Sequence, residues 1–421
     1  MARSTYQTTI AINSARSTFH FYSMIGNDTA TISHHVKGFP KGQMDDAFFA
    51  RFKDALREFA ADVPAGGIRR VSLILPDSAV HMDSINIPTM HGAGQTKKTL
   101  DTTLHSLFPN HANLRMLTYL MAQNKQYSTF SLTALQKHII SSCYAACSEN
   151  KMLVDTLTFA SNAAVGGAVA LDPKLKGESF VLLDVKDTHT RVVFVVNGKT
   201  VGFYPLPFGY ELLRASRVIP EDTLFDHSFA ALSVLNASER ARAKKLTVFG
   251  SGEARSESPF DTESAGRQSA PDTSLALPEE QEDMTDAEQQ ESPSAEAPDP
   301  EEVALQNYAR KAPRRLPKFM QRELPTDREG ILAENFRVFV KWTLDLIAAN
   351  GKLTALGKPS FVCVNLPHDL LGVLDGVNTE AEENGILFRP LFPAQLDASV
   401  SANLELYGGL FPKTMHASNT F

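Results

Sequence analysis

Residues 180–213, FVLLDVKDTHTRVVFVVNGKTVGFYPLPFGYELL, restrict the fold more than any other stretch of the chain. An apolar run over 180–183 ends at Asp184 and a polar turn, and a second run over 191–196 closes at Asn197-Gly198. Asn-Gly between two β-branched runs is the strongest short hairpin signal, because both residues tolerate the positive φ of a tight turn. A third run over 200–204 passes through two prolines into Phe208-Gly209-Tyr210-Glu211. The order is strand, polar turn, strand, tight hairpin, strand, Gly-marked loop, helix, which points to an α/β fold.

The 421 residues, 43% of them hydrophobic, suffice for two or more domains with cores of their own. No apolar leader of signal-peptide length and no run of 18 apolar residues is present, so a cytoplasmic location is expected. Cys143 and Cys147 lie four apart in a predicted helix and Cys363 in a predicted strand. They fit reduced core thiols better than a disulfide framework or a metal site. The net charge of −7 is concentrated: residues 251–302 hold 16 Asp and Glu against two Arg, leaving 39 basic and 32 acidic residues elsewhere. A body that mildly basic permits an acidic partner or a membrane face but is no nucleic-acid footprint.

Strand-length runs at 8–12, 19–22 and 29–35, separated by polar and Gly-containing turns, predict an antiparallel meander. Met44, Phe48, Phe49, Phe52, Leu56 and Phe59 fall at helical spacing, so a helix with one buried face follows. After a strand over 70–75, residues 77–160 read as an inserted α+β subdomain. It comprises a strand over 80–87, a helix over 95–107, a hairpin of strands near 114–121 and 126–132, a helix over 133–149 and a strand over 152–160. Residues 162–171 form a helix of small residues. Between 251 and 302, Ser, Glu, Pro, Ala, Asp and Gln dominate and Phe260 is the sole aromatic, too little apolar area to offset the entropy of ordering. A disordered acidic segment is expected there. The basic stretch that follows, to residue 322, is either a solvated flank or a dock for anionic lipid or an acidic partner. Helices over 329–350, 368–374 and near 404–410 and strands over 360–364 and 386–389 complete the chain.

Five segments in sequence carry a resemblance: LPDSAVHMDSINIP, the helix ending Phe108-Pro109, VDTLTFASNAA, the 180–213 unit, and NASERARAKK. In this order they resemble PilM-type proteins, the cytoplasmic actin-like component of type IV pilus assembly, and more distantly FtsA of the cell-division machinery. The similarity covers most of residues 5–250 and, more weakly, 330–411. It implies an actin-like (ribonuclease H-like) two-lobed ATPase fold. Residues 1–76 and 161–175 would form the first lobe, 77–160 the inserted subdomain, 176–250 and 323–421 the second lobe, and 251–322 a disordered acidic then basic linker.

Actin-like ATPases hold nucleotide at three turns, and each is altered here. At the first, Ala11 stands where the family has a metal-positioning Asp and Asn13 where it has a Gly, followed by Ser14. Arg16 and Ser17 leave open an anion site or a plain solvated turn. At the second, Asp184, Thr188 and Thr190 persist, but Lys186 replaces the glycine that lets backbone approach a phosphate. Lys186 either pairs with a phosphate or places its ammonium beside Asp184; the second is preferred, because the first-site Asp is missing as well. Gly209 and Glu211 match the loop after the hairpin, where a helix N-terminal carboxylate is explanation enough for Glu211. At the third, Asn365-Leu366-Pro367 stands in place of a Gly-Gly turn, Leu366 adding bulk and Pro367 removing a donor.

The nucleotide-site remnants are therefore Asn13, Ser14, Asp184, Lys186, Thr188, Gly209, Glu211 and Asn365, with no catalytic or metal residue among them. The resemblance implies a pseudo-ATPase scaffold that binds the cytoplasmic tail of a PilN-like protein at the inner face of the cell membrane, in a type IV pilus or related type II secretion assembly. No cofactor is expected unless the site still functions, in which case it takes ATP and magnesium. Two alternatives stand beside it. One is an active actin-like ATPase or phosphotransferase using Asp184 and Lys186. The other is an FtsA-like division protein, against which the ending PKTMHASNTF offers no amphipathic membrane helix. The His residues show no metal spacing, and no Walker A, G-x-G-x-x-G or G-x-S-x-G motif occurs.

Overall fold

The computed structural model describes residues 5–25 except 15, 33–62 except 41–42, 68–218 except 188, 207–208 and 216–217, 325–349, 361–374 except 371 and 373, 387–391, 403–415 and 420–421. The expected acidic and basic linker, the NASERARAKK helix and Thr188 lie outside the described residues.

Strands β1 (Thr5–Asn13), β2 (Thr18–Ile25) and β3 (Ser33–Gly38) form the antiparallel meander. Helix α1 (Asp46–Asp62) follows, and β4 (Ile68–Leu75) then lies parallel to β1. β8 (Leu153–Phe159) lies parallel to β4, giving the order β3-β2-β1-β4-β8. Alternation along β1 explains why both its faces are apolar. Ile10 and Ile12 pack with Phe52 and Phe59 of α1, whereas Ala11 packs with Ile74 and Ala163 on the opposite face.

A second sheet repeats the plan. β9 (Phe180–Val185), β10 (Thr190–Val196) and β11 (Lys199–Leu206) are antiparallel, and β12 (Phe361–Asn365) and β13 (Leu387–Pro390) continue the sheet in parallel, in the order β11-β10-β9-β12-β13. Asn197 and Gly198 both take positive φ, 51° and 72°, as the Asn-Gly signal requires. Two sheets with one strand order, and a subdomain inserted after the fourth strand of the first, make this an actin-like two-lobed fold.

The insertion is smaller than expected. β5 (His81–Pro88), α2 (Ala93–Leu107), β6 (Leu114–Gln123) and β7 (Tyr127–Gln136) form a sheet of order β5-β7-β6 over a core of Ile85, Ile87, Leu100, Leu104, Phe130 and Leu132. Residues 133–136, expected to open a helix, instead extend β7, because pairing with β6, and with β5 as well at Thr133 and Ala134, satisfies their backbone. Helix α3 (Lys137–Glu149) therefore starts four residues later, and it packs with α1 and β8 against the first sheet.

Two helices separate the sheets. α4 (Ala160–Leu171) turns Ala160 and Ala163 to the first sheet and Ala164, Val165, Ala168 and Val169 to Phe180, Leu182 and Val193 of the second. α7 (Leu404–Leu410), expected with the second lobe, lies across α4 on β1, β2 and β4. Glycines permit this: a Cβ on Gly408 would stand 1.9 Å from the Ala163 carbonyl oxygen, and one on Gly167 2.4 Å from that of Leu404. On the far face of the second sheet, α6 (Arg328–Ala349) buries Phe336 and Phe339 against Val181, Leu183 and Val364. It follows the four-residue α5 (Tyr210–Leu213) among the described helices. Of the helix expected over 368–374, His368–Leu370 form a 3₁₀ turn, and residues 371 and 373 lie outside the described residues. Among the described residues no helix is long and apolar enough to cross a membrane. Cys143, Cys147 and Cys363 are buried free thiols, and burial pushes those of Cys147 and Cys363 up to about 12, which keeps them unreactive.

Candidate functional site

The turns that end β1 and β9 face each other across the interface of the lobes. Strand register determines what gathers there. Arg191 of β10 lies opposite Asp184 in the antiparallel pair, and Asn365 of β12 lies beside Asp184 in the parallel pair, so both flank one carboxylate. Asp184 is wholly buried: its Oδ2 lies 2.9 Å from Arg191 Nη1 and 3.1 Å from Lys186 Nζ, and its Oδ1 accepts from Asn365 Nδ2 at 2.7 Å.

The cluster then crosses to the first lobe. Lys186 Nζ is 3.1 Å and Arg191 Nη1 3.4 Å from Glu405 Oε2, which α7 delivers. Arg191 Nε is 3.1 Å from Asp77 Oδ2, and Asp77 accepts from the Ser161 amide at 2.7 Å and the Ser161 hydroxyl at 2.8 Å, at the start of α4. Both cations come from the second sheet's hairpin, while Asp77 and Glu405 come from the first lobe. Burial alone would raise the Glu405 pKa, but Lys186 and Arg191 outweigh it and bring it down to about 2. Burial opposes the charge of Arg191 as well; Glu405, Asp77 and Asp184 outweigh that and hold its guanidinium above the usual range. Charges this buried persist because each has a partner.

Backbone groups of the second turn are engaged as well. The amides of Tyr210 and Glu211 donate to the carbonyls of Lys186 and Asp187 at 2.9 and 3.1 Å. These are N-terminal donors of α5, the groups a helix would otherwise offer to an anion. Gly209 makes the contact possible, since a Cβ there would stand 2.1 Å from the Lys186 carbonyl oxygen. The first turn is looser. Asn13 Oδ1 accepts from the Arg16 amide at 3.1 Å, Ser14 is exposed, and the Arg16 guanidinium pairs with Asp187, tying turn to turn.

Of the remnants named from sequence, Asp184, Lys186 and Asn365 come together and Gly209 abuts them. Asn13 and Ser14 lie on the facing turn, and Glu211 is exposed. Leu366 does not fill the cleft, as its bulk led us to expect. Next in register to Asn365, it enters the core behind the sheet with Phe336 and Leu370. Sequence reasoning missed Asp77, Arg191 and Glu405. An arginine opening an apolar strand and a lone glutamate in LELYGGL were the available signals.

A magnesium–nucleotide group does not fit these side chains. Position 11 offers an alanine buried in an apolar cluster, the Lys186 ammonium stands against Asp184, and the α5 amides are bonded within the protein. Among the described residues no three His, Cys, Asp or Glu side chains are grouped to hold a metal ion.

No protein-family description and no curated protein matches the sequence. Solved structures do. A PilM–PilN type IV pilus biogenesis complex is similar over 98% of this chain and 98% of its own, at 10% identity and a TM-score of 0.47. The cytoplasmic domain of EpsL, an inner-membrane component of the type II secretion system of Vibrio cholerae, is similar over 48% of this chain and 71% of its own (11%, 0.33). The ethanolamine utilization protein EutJ of Carboxydothermus hydrogenoformans covers 96% and 89% (10%, 0.32). The fold assignment rests on strand order and register rather than on these scores.

Proposed function

We propose that this protein is a nucleotide-independent actin-like scaffold on the cytoplasmic side of a type IV pilus or related type II secretion assembly, where it holds the cytoplasmic tail of a PilN-like membrane protein. The observation that carries the silent-ATPase part of this reading is the cluster of Asp77, Asp184, Lys186, Arg191 and Glu405, buried at Asp184 and Lys186 and half-buried at the other three. In an active actin-like ATPase, nucleotide phosphates and magnesium bridge the two lobes at this place. Here side chains of the protein bridge them, so the lobes hold together without a ligand. The assembly and its PilN-like partner rest on the five sequence segments in the family's order.

The test is a pull-down with the cytoplasmic tail of the PilN-like protein, run with and without ATP and magnesium, beside calorimetric titration of the full chain with magnesium–ATP. Capture that is equal in both conditions, with no heat of nucleotide binding, is the expected result. Capture that depends on ATP, or nucleotide binding at micromolar concentration that Asp184→Ala abolishes, would replace this reading with that of an active ATPase.

A further inference from the structure

A second polar cluster sits at the edge of the first sheet. His20 of β2 lies beside Ala11 in register, on the face that α7 covers, and Tyr22 on the same face packs with Leu406 and Leu410 of α7. His20 Nδ1 stands 3.1 Å from His34 Nε2 of β3, and His20 Nε2 stands 2.9 Å from the Thr18 hydroxyl. The His34 ring meets Tyr22 edge-on at 4.6 Å between centroids, and the Tyr22 hydroxyl accepts from Asn403 Nδ2 at 3.3 Å, two residues before Glu405. A hydrogen bond between imidazoles needs one N–H and one lone pair, which two imidazolium rings cannot supply. The chain of contacts therefore runs from a bond that protonation of both rings destroys to the helix that delivers Glu405.

We infer that His20 and His34 form a proton-sensitive catch on the lobe interface: full protonation breaks their bond, loosens the start of α7 and frees Glu405 from Lys186 and Arg191. The charged surroundings favour the neutral pair in the closed form. Burial first, then His34, and then Arg16 from the first turn hold the pKa of His20 down to about 4, with Glu405 from α7 pulling the other way. Burial and neighbouring His35 lower that of His34. Arg16 is itself paired with Asp187. The closed form thus binds fewer protons than a form with the imidazoles in water. The closed state is fully favoured above pH 6.5 and loses that advantage as pH falls to about 4. Glu405, held near 2, keeps its charge throughout this window.

Hydrogen–deuterium exchange of the full chain tests this, following residues 160–171 and 403–415 from pH 7.5 to 4.5 after correction for the intrinsic exchange rate. Wild-type protein should open these helices at least about tenfold more at pH 5 than at pH 7.5. Glutamine keeps a donor and an acceptor without titrating, so His20→Gln and His34→Gln should flatten the profile. If His20→Gln fails to fold, the edge-strand variant His34→Gln decides. His189 also has a lowered pKa, from burial, then Arg191 and Lys186, so His189→Gln is the control. A flat wild-type profile, an unchanged response in both catch variants, or a response abolished by His189→Gln alone would each overturn the inference.

Discussion

The turns after β1 and β9 hold equivalent places in sheets of one strand order, yet they are built from opposite materials. Residues 13–17 are held by a local side-chain bond and carry Ser17 at φ 50°, with Ser14 and Arg16 in solvent. The second turn buries the Asp184 carboxylate and the Lys186 ammonium, half-buries the Arg191 guanidinium, and receives the amides of the following helix. Ala11 and Asp184 occupy corresponding strands, and the carboxylate lacking in the first repeat is supplied from outside it, by Glu405 on α7. Duplication of a backbone plan thus leaves the charge pattern free. The polar cohesion of the lobes is concentrated in the second turn and in the helix that reaches it.

The sharpest way to break this comparison is to make matched substitutions in the two turns. Asp184→Ala leaves Lys186 and Arg191 buried with one partner fewer and should cost about 3–5 kcal/mol. Asn13→Ala removes one exposed turn bond and should cost at most about 1 kcal/mol. Denaturant midpoints of the two variants measure the difference directly, and equal losses would erase the asymmetry.

Acid provides the next effect. The Glu405 pKa in the folded protein lies below its ordinary 4.5, so its contribution is complete above pH 4.5 and is lost as pH falls toward about 2. Unfolding free energies measured between pH 5 and 2 should therefore fall less steeply in Glu405→Gln than in the wild type. Parallel slopes would mean that α7 contributes helix packing but no charge to the interface. Smaller again is Gly209→Ala, whose methyl group meets the Lys186 and Asp187 carbonyls and should cost about 1–3 kcal/mol, read as a lower melting temperature.

The sequence made the sheets legible because their signals are local: alternation in β1 and β2, the Asn-Gly turn at 197–198, and the polar break after Asp184. The Lys186–Asp184 pair was also foreseeable, since the partners lie two positions apart and no family carboxylate stands at Ala11. Glu405 was not foreseeable, because its role depends on α7 crossing α4 through Gly167 and Gly408, a contact between segments more than 200 residues apart. Leu366 was misjudged for the opposite reason. Its bulk was visible, but the face to which it turns depends on the register of β12 with β9, which sets Asn365 toward Asp184 and sends the next side chain into the core. Residues 133–136 show a third kind of difficulty: their composition suits either a helix or a strand, and the availability of two pairing neighbours decides between them.

The smallest predicted effect isolates the ionic contact that, among the described residues, joins the two turns directly. Arg16 and Asp187 pair at the surface, where solvent screens the attraction and ordering two side chains opposes it, so Arg16→Ala should cost only about 0–1 kcal/mol. Screening also gives this pair a signature that the buried cluster lacks. The wild-type excess over Arg16→Ala should vanish between about 0.05 and 1 M salt, whereas the deficit of Asp184→Ala should persist, because water and ions do not reach a carboxylate with no exposed surface. Chemical denaturation in urea, which adds no ionic strength, at the two salt concentrations separates the cases. A salt-resistant contribution from Arg16 would mean that the first turn is as much a part of the interface as the second.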